Sequence, residues 1–299
     1  MGIDLLSARF LAAAARQGAV AREILMLGRQ SILFSSDKAR ATAWGGNPTA
    51  QGALPGRRRA DDYADDFFLW LGAKSVHSLD LSDYEGATLL ADLNQAVPVE
   101  WHGRFDCVFD GGTTEHIFDP AQAARNIRDM LRPGGWLISI VPGNNFMGHG
   151  FYQFSPEFLF RAYGRDAGFG RTAVYAAELS ERGDGRFFRI IDPAVSGERG
   201  IFRNALPLHL YCLAQRAGQV GTAPVPMQSD YVTAWSGAEG KDAGPARPEN
   251  ARLKRGFRQI AMRAGGLWLK SVLPMRWNER YFQRLDSLEE NVRDFVQNA

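Results

Sequence analysis

The sequence predicts a doubly wound α/β fold, in which a mainly parallel sheet of seven strands carries helices on both faces. Short apolar segments alternate with helical patterns from about residue 20 to about residue 215. This alternation is typical of parallel sheets that helices cover. Several apolar segments end at a glycine or an aspartate. Because ligands bind outside the carboxyl ends of the strands in such sheets, these terminal residues are the first candidates for a binding site.

The first helix and the first strand come at the start of the chain. Residues 1–20 predict an amphipathic helix, since Asp4 and Arg9 interrupt the apolar run that a secretion signal would need. Residues 23–28 form a short apolar run that ends at Gly28. Such a run, closed by a glycine, is typical of a buried parallel strand.

Two further strands follow a loop and a second helix. Residues 35–60 have no periodicity and predict a long surface loop, and residues 61–72 predict a helix with acidic residues in its first turn. Residues 75–80 predict the second strand, which ends at a carboxylate. Residues 87–91 predict a third, weaker strand.

The central part of the domain holds the clearest pattern. Residues 105–110 predict a fourth strand, and a proline opens the predicted helix at residues 120–131. The helix is expected to stop at the Pro-Gly-Gly sequence of residues 133–135, and residues 136–141 predict the fifth strand. Strand, helix, break and strand thus follow each other in the order of one α/β unit.

A helix and two strands complete the domain, which we place at residues 1–216. Residues 155–164 predict the helix, and residues 171–179 and 206–215 predict the last two strands. With these two strands the expected sheet reaches its seven members.

The chain beyond the domain changes in composition twice. Residues 217–250 are rich in Gly, Ala, Pro and Ser and predict a flexible linker. Residues 251–299 predict a basic, aromatic helical extension, with nine cations and one anion within residues 251–284. Such a stretch packs on the domain as helices or lies weakly on an anionic membrane surface, and we do not expect nucleic acid as a partner. Residues 285–296 have helical spacing and predict a packing helix.

Composition excludes several classes of protein. With 35 basic and 33 acidic residues, the net charge of +2 favours no class of partner. Cys107 and Cys212 lie inside apolar runs and predict buried thiols, and no metal site is expected. No apolar run is long enough to span a membrane, so we expect a cytoplasmic protein that touches membranes through its extension or not at all. Neither a G-x-G-x-x-G sequence nor a P-loop lysine is present, which argues against a dinucleotide or nucleotide triphosphate enzyme.

Two segments resemble the class I S-adenosylmethionine-dependent methyltransferases of the small-molecule type. The first is Phe-Asp-Cys-Val-Phe-Asp at residues 105–110 with Glu-His-Ile-Phe at residues 115–118. The second is Met-Leu-Arg-Pro-Gly-Gly-Trp-Leu at residues 130–137. These are similar to the fourth-strand and fifth-strand signatures of that family, and the resemblance covers residues 20–215. It implies a Rossmann-like fold, methyl-transfer activity and S-adenosylmethionine as cofactor.

The resemblance also implies a set of cofactor contacts. Leu-Asp-Leu-Ser at residues 79–82 and Ala-Asp-Leu-Asn at residues 91–94 are similar to the second-strand and third-strand motifs. Asp80 with Leu81 would then bind the ribose, Asp92 with Leu93 would face the adenine, and the turn after the fourth strand would lie near the methionine part. The predicted cofactor-binding residues are Gly28, Arg29, Gln30, Asp80, Leu81, Asp92, Leu93, Asp110, Gly111 and Gly112.

The first loop departs from the pattern of the family. The family has an acidic residue in the first strand and a glycine-rich turn, whereas this chain has Leu-Met-Leu at residues 25–27 and a single glycine, Gly28. Two explanations stay open. Arg29 and Gln30 replace the usual contacts, with Arg29 binding the carboxylate of the ligand through two hydrogen bonds, or the chain has lost cofactor binding.

Candidate catalytic residues lie in and near the loop at residues 142–156. Because the sulfonium charge already activates the methyl donor, the protein mainly aligns an acceptor with the methyl group. A hydroxyl or amine acceptor must also lose a proton, and a base with a pKa near neutrality assists that step. His149 is the first candidate for this base, His116 is the second, and Tyr152 is the candidate that orients the acceptor.

The sequence therefore predicts methyl transfer to a small-molecule or saccharide-like acceptor. A catalytically inactive binding or scaffold protein of the same fold is the alternative, with membrane contact through residues 251–284. The acceptor itself and the oligomeric state have no signature in the residues.

Overall fold

The computed structural model describes residues 2–35, 62–179, 185–196, 200, 202–218, 225–238, 276–277 and 281–297. Almost all of the loop predicted at residues 35–60 lies outside these described residues. So do large parts of the predicted linker and most of the predicted extension.

The described residues form helices on both sides of one large sheet. The helices are α1 (Leu5–Arg16), α2 (Asp65–Leu71), α3 (Pro120–Met130), α4 (Pro156–Ala162), α5 (Pro193–Ser196), α6 (Ser229–Ala238) and α7 (Leu288–Gln297). The strands are β1 (Gly2–Ile3), β2 (Glu23–Leu27), β3 (Ser31–Ile32), β4 (Ser75–Asp80), β5 (Leu89–Leu90), β6 (Phe105–Asp110), β7 (Leu131–Asn144), β8 (Phe169–Glu178), β9 (Phe187–Ile190), β10 (Phe202–Arg203), β11 (Leu208–Arg216), β12 (Arg276–Trp277) and β13 (Phe282–Arg284). Short 3₁₀ turns lie at Val99–Trp101, Thr114–His116 and Arg165–Ala167.

The main sheet has nine strands in the order β13-β9-β8-β11-β7-β6-β2-β4-β5. Strands β5, β4, β2, β6 and β7 pair in parallel, and β11, β8, β9 and β13 continue the sheet through antiparallel pairs. The chain builds outward from β2 to β4 and β5 and then returns to place β6 on the other side of β2. Because the strand order reverses here, the carboxyl ends of the neighbouring strands β2 and β6 form the topological switch point, where ligands bind in doubly wound folds. The predicted α/β fold is confirmed, with two strands more than the seven predicted.

The fifth predicted strand is longer than expected at its start. Strand β7 begins at Leu131, and the Pro-Gly-Gly of residues 133–135 lies inside it rather than before it. The pairing of β7 with β6 slips here, since Phe105 pairs with Leu131 and Cys107 pairs with Trp136. Proline has no N–H to donate to a neighbouring strand, and Gly134 has a positive φ of 80°, so the pairing is interrupted without ending the strand.

The carboxyl-terminal part of the chain differs from the predicted helical extension. Residues 282–284 form strand β13, which pairs with β9 at the edge of the main sheet, and residues 276–277 form a two-residue strand paired with β10. Helix α6 lies within the region predicted as a linker. The packing helix predicted at residues 285–296 is confirmed by α7, whose Leu288 and Val292 are buried.

Each face of the sheet has its own apolar layer. On one face, side chains of α1, α2 and α7 pack against alternate strand residues such as Ile24 and Phe109. On the other face, α3 and α4 pack against the intervening residues, such as Leu25 and Val108. This alternation gives the three-layer arrangement of a doubly wound fold. Both cysteines are buried and free, as predicted, and no helix in the described part of the chain is long and apolar enough to cross a membrane.

Helix α1 covers the end of the sheet where the later functional residues lie. The side chain of Asp4 caps the helix by accepting a hydrogen bond from the Ser7 backbone N–H at 2.7 Å. Within the helix, the buried ring of Phe10 packs against the rings of Tyr175 and Tyr211, with centroid distances of 5.5 Å and 5.2 Å. The amino-terminal helix is therefore an integral part of the core, and the short strand β1 before it pairs with β3.

A histidine on β11 is held in its neutral form by the packing of this region. The ring of His209 stacks on Phe146 with centroids 4.8 Å apart, and its Nδ1 is buried without a hydrogen-bond partner among the described residues. Burial lowers the pKa of His209 to about 4, against a smaller raising effect of Asp4 and a further lowering effect of His149. Protonation of His209 therefore disfavours the folded state.

We expect this histidine to make stability depend on pH. Unfolded His209 binds a proton below about pH 6.5, whereas the folded chain resists protonation until about pH 4. The free energy of unfolding should therefore fall as the pH drops from 6.5 toward 4, by on the order of 2 kcal/mol from this group. Replacing His209 by Phe retains the stacking on Phe146 and should remove that part of the slope. Urea unfolding of both chains across this range measures the difference, and parallel curves would contradict the assignment.

Candidate active site

The predicted cofactor residues converge at the switch point of the sheet. Leu27 at the end of β2 is in register with Leu79 on β4 and with Asp110 on β6. The next residue, Gly28, donates its backbone N–H to the Leu79 carbonyl at 2.8 Å. The residues that follow three neighbouring strands thus lie at one edge, as the sequence pattern predicts.

Gly28 occupies a position that only a glycine fits without strain. Its φ is +64°, and a Cβ at this position would lie 3.0 Å from Thr113 Oγ1 and 4.0 Å from Asp80 Oδ2. A side chain would therefore crowd the space between the ends of β2, β4 and β6. Its absence leaves the backbone open to close approach by a ligand.

Gln30 is a buried polar residue beside this glycine. Its Nε2 donates to the Leu27 carbonyl at 2.9 Å, and a Cβ on Gly111 would lie 3.0 Å from its Cδ. Its Oε1 is buried and accepts no hydrogen bond from the described residues. A buried amide oxygen without a partner is unfavourable, so Gln30 offers an acceptor at the switch point for a donor group from outside the chain.

Arg29 points its guanidinium toward other parts of the chain. Its Nε lies 3.4 Å from Asp65 Oδ2, its Nη1 donates to the Glu85 carbonyl at 3.0 Å, and its Cζ lies 4.2 Å from the centroid of the Tyr63 ring. These contacts join α2 to the loop after β4. They hold the guanidinium in place within the chain, and the contact of Arg29 with a ligand carboxylate stays a prediction.

Two carboxylates follow the adjacent strands β4 and β5. Asp80 Oδ1 accepts a hydrogen bond from the Leu81 backbone N–H at 2.6 Å. Asp92 is exposed and accepts hydrogen bonds from the backbone and side chain of Asn94, which lower the pKa of its carboxyl group. Leu81 is 71% exposed, whereas Leu93 is 3% exposed and packs in the apolar core. The Leu93 carbonyl accepts a hydrogen bond from Asn126 Nδ2 at 3.0 Å. Both carboxylates follow the ends of two strands that pair side by side in the sheet.

In contrast, both carboxylate oxygens of Asp110 accept hydrogen bonds from the protein itself. Its Oδ1 accepts hydrogen bonds from the backbone N–H groups of Thr113 and Thr114, and its Oδ2 accepts from the hydroxyls of Thr114 and Ser139. The side chain is completely buried. It fixes the turn that contains Gly111 and Gly112 and ties that turn to β7. Because the Asp110 side chain is already hydrogen-bonded, the predicted contact of this turn with a ligand would be made by the backbone of Gly111 and Gly112.

We expect the Asp110→Ala substitution to destabilise the domain. Four donors would lose their acceptor in a buried site, so the free energy of unfolding should fall by at least about 3 kcal/mol. Thermal or urea unfolding measures the loss. The exposed Asp83→Ala substitution is the control and should change stability by less than about 0.5 kcal/mol. Equal effects of the two substitutions would show that the network does not support the turn.

A cavity of about 200 Å³ opens beside the turn. Its walls come from the amino-terminal segment, the end of β6, the loop after β7 and the strand β11. The lining residues are Gly2, Ile3, Asp4, Ser7, Leu33, Phe109, Gly111, Gly112, Glu115, Ile140, Phe146, His149, Leu179 and His209. The cavity thus joins the predicted cofactor turn to the predicted catalytic loop.

Two of the predicted catalytic histidines meet at one carboxylate. His149 Nε2 lies 3.6 Å from Glu115 Oε1, and His116 Nε2 lies 4.0 Å from the same oxygen. The two imidazole centroids are 5.2 Å apart. Both imidazoles are partly exposed, whereas the Glu115 side chain has no exposed surface. The structure therefore brings His116 and His149 together, as a pair with a buried acid behind them.

The surroundings of this cluster shift the pKa values of Glu115 and His116. Burial, with a smaller effect of the Asp110 carboxylate, raises the pKa of Glu115 to about 8. Burial, with a smaller effect of His149, lowers the pKa of His116. Neither carboxylate oxygen of Glu115 has a hydrogen-bond partner among the described residues. Perturbed groups of this kind, grouped at a cavity, are typical of functional sites.

Tyr152 lies at the outer side of the loop. Its hydroxyl donates a hydrogen bond to the Phe118 carbonyl at 2.8 Å, which joins the loop after β7 to the turn after β6. The neighbouring Phe118 and Phe151 are 70% and 64% exposed, and their rings meet edge to face. Tyr152 therefore positions this exposed aromatic rim, and a contact with the acceptor stays a prediction.

Glu115 and His209 are two titratable cavity residues that sequence reasoning did not single out. Glu115 was part of the motif at residues 115–118, but an acid after a turn is usually solvated, so its burial gave no signal. His209 lies in a predicted strand, where its inward or outward direction depends on the register. The adjacent pair Glu115-His116 was the one feature that could have directed attention to this carboxylate.

A family model of known proteins matches the central part of the domain. The model of a family described as "Methyltransferase domain" matches residues 71–139, a segment that contains β4, β6, the turn with Glu115, α3 and the start of β7. The matched segment covers about a quarter of the chain, and its description agrees with the resemblance to methyltransferases at the same residues. The resemblance predicted from the sequence is confirmed. A search of curated proteins finds no match.

Solved structures similar to this chain come from several organisms. The 1,6-didemethyltoxoflavin-N1-methyltransferase of Burkholderia thailandensis, crystallised with 1,6-didemethyltoxoflavin and S-adenosylhomocysteine, has 16% identity and a TM-score of 0.38, and the alignment covers 72% of this chain and 79% of that chain. An S-adenosylmethionine-dependent methyltransferase of Methanosarcina mazei has 13% identity and a TM-score of 0.36, covering 66% and 93%. One from Mesorhizobium loti has 14% identity and a TM-score of 0.34, covering 65% and 90%.

Proposed function

We propose that the chain transfers a methyl group from S-adenosylmethionine to a small-molecule or saccharide-like acceptor. One observation supports this most: a cavity of about 200 Å³ joins the glycine turn of the switch point to the Glu115, His116 and His149 cluster. Gly111 and Gly112 of the proposed donor site therefore share one cavity with Glu115 and His149 of the proposed acceptor site, and direct transfer requires such proximity.

The residues at the switch point fit the donor. Asp80 would accept hydrogen bonds from the ribose hydroxyls, and Asp92 would accept one from the adenine amine, since both are carboxyl groups with acceptor oxygens at adjacent strand ends. Gly28 leaves room for the donor to approach the backbone. The unpartnered Oε1 of Gln30 suits the ammonium group of the amino-acid part. Gln30 would thus replace contacts that a glycine-rich loop gives elsewhere, and Arg29 would hold the surrounding loops.

The acceptor side of the cavity supplies the remaining chemistry. When bound, the donor supplies a methyl group on a sulfonium sulfur. The chain then has to exclude water, align the acceptor and assist the loss of its proton. His149 lines the cavity, and His116 stands beside it, so these imidazoles are our candidates for activating a hydroxyl or amine. A cavity of this size holds a small acceptor or one ring of a larger one.

The first test concerns the donor. Asp80→Ala should weaken the binding of S-adenosylmethionine by more than about tenfold, because loss of hydrogen bonds to a charged acceptor costs about 1.5–3 kcal/mol. Isothermal titration calorimetry measures the dissociation constant. Asp83→Ala, which removes an exposed acid of the same loop, should bind as the unchanged chain does. No heat with the unchanged chain at millimolar donor would refute the proposed function.

The second test concerns the imidazoles. His149→Ala should lower kcat by about 10²-fold or more while the dissociation constant for S-adenosylmethionine stays unchanged, since the residue faces the acceptor. The readout is release of S-adenosylhomocysteine with a panel of hydroxyl and amine acceptors. His102→Ala, at an exposed histidine outside the cavity, is the matched control. Donor binding without turnover on any acceptor would favour the scaffold alternative instead.

A further inference from the structure

The Glu115, His116 and His149 cluster has the composition of a metal site. It offers one carboxylate oxygen and two imidazole nitrogens, and these ligand atoms all lie within 4.8 Å of one another. Two histidines and one carboxylate form a common ligand set for divalent transition metals with open coordination positions. Nothing in the resemblance or in the domain match predicts such a site.

The distances agree with a common metal centre. With bonds of about 2.1 Å, two ligand atoms of a tetrahedral ion stand about 3.4 Å apart. His149 Nε2 and Glu115 Oε1 are 3.6 Å apart, and His116 Nε2 and the same oxygen are 4.0 Å apart. The two pairs that include the Glu115 oxygen would need to close by about 0.2 Å and 0.6 Å to bind one tetrahedral ion. The two imidazole ligand atoms lie within 4.8 Å of each other and would need to close by up to about 1.4 Å. Both histidine side chains are partly exposed.

The burial of Glu115 is a second, independent observation. Its side chain has no exposed surface, and both of its oxygens are without hydrogen-bond partners among the described residues. A buried carboxylate is normally paired, hydrogen-bonded or bound to a metal, because an isolated one is costly to remove from water. The oxygen that faces both imidazoles is therefore placed as a ligand would be, with the cluster open toward the cavity on the other side.

We propose that Glu115, His116 and His149 bind one divalent transition-metal ion, of which Zn²⁺ is the model case. Three protein ligands leave at least one coordination position open, which is the arrangement of catalytic rather than structural zinc sites. That position faces the cavity that His149 and Glu115 line. His149 is then a ligand, and its Nε2 does not act as a free base.

Within the proposed function, the metal ion would take part in the methyl transfer. This role in the transfer is the one part of the metal proposal that rests on the proposed function. An oxygen of the acceptor that occupies the open position would have its pKa lowered by the ion. Its proton would leave to water in the cavity, the new O–C bond would form as the C–S bond of the sulfonium breaks, and S-adenosylhomocysteine would be released. Metal binding itself needs neither the donor nor the acceptor.

Cobalt is the probe for the experiment. The full chain, purified without a histidine tag and stripped with a chelator, is titrated with Co²⁺ while its visible absorption is recorded. We expect one equivalent to bind with the d–d bands of a low-coordinate nitrogen and oxygen site, and Zn²⁺ to displace it. No visible band at millimolar Co²⁺ would overturn the proposal, whatever the chain does with S-adenosylmethionine.

Variants locate the ion. Glu115→Gln and His149→Ala should each weaken Co²⁺ binding by more than about 100-fold, since the loss of even an outer partner costs about 10–100-fold. Glu100→Gln and His102→Ala, at exposed residues of the same types, are the matched controls and should bind as the unchanged chain does. Far-ultraviolet circular dichroism and thermal unfolding of each variant report that the fold is retained. Unchanged Co²⁺ affinity in both cluster variants, or its loss in the controls, would contradict the assignment.

Discussion

The hydrogen bonds to the Asp110 carboxylate hold the turn on which the whole site depends. Two backbone N–H groups and the hydroxyls of Thr114 and Ser139 meet its oxygens, so the end of β6 cannot move relative to β7. This turn places Gly111 beside Gln30 and carries Glu115 into the cavity. A flexible turn would separate the two halves of the site, because each half is attached to a different end of it.

The same turn contains two buried acids in opposite situations. The oxygens of Asp110 accept four hydrogen bonds from its own chain, and its function is to hold the turn. Glu115, five residues later, is buried without donors, and its pKa is raised to about 8 by burial and by the Asp110 carboxylate. The folded chain tolerates the second acid at a cost in stability. An unsatisfied group that folding alone does not explain is typical of a residue retained for binding or catalysis.

The sequence predicted the positions that depend on local pattern and missed those that depend on distant partners. Gly28, Asp80 and the Asp110 turn follow buried strands, and their convergence at one edge comes from topology that the alternation of strands and helices already indicates. The contact between Arg29 and Asp65 had no signal in the sequence, because Asp65 lies on a helix whose packing the sequence does not specify. Strand β13 was missed because its cationic, aromatic residues also suit a helix, and its pairing with β9 is a long-range contact.

The walls of the cavity come from opposite ends of the domain. Gly2 and Ser7 stand at the start of the chain, and His209 lies on β11, which is inserted between β7 and β8. During synthesis on a ribosome, residues 2–7 emerge long before β11 has been made. A nascent chain that lacks β11 therefore lacks one wall of the cavity. Contacts of such high sequence separation form late and slow the folding of a domain. The contacts that complete the cavity can therefore form only after β11 has been synthesised.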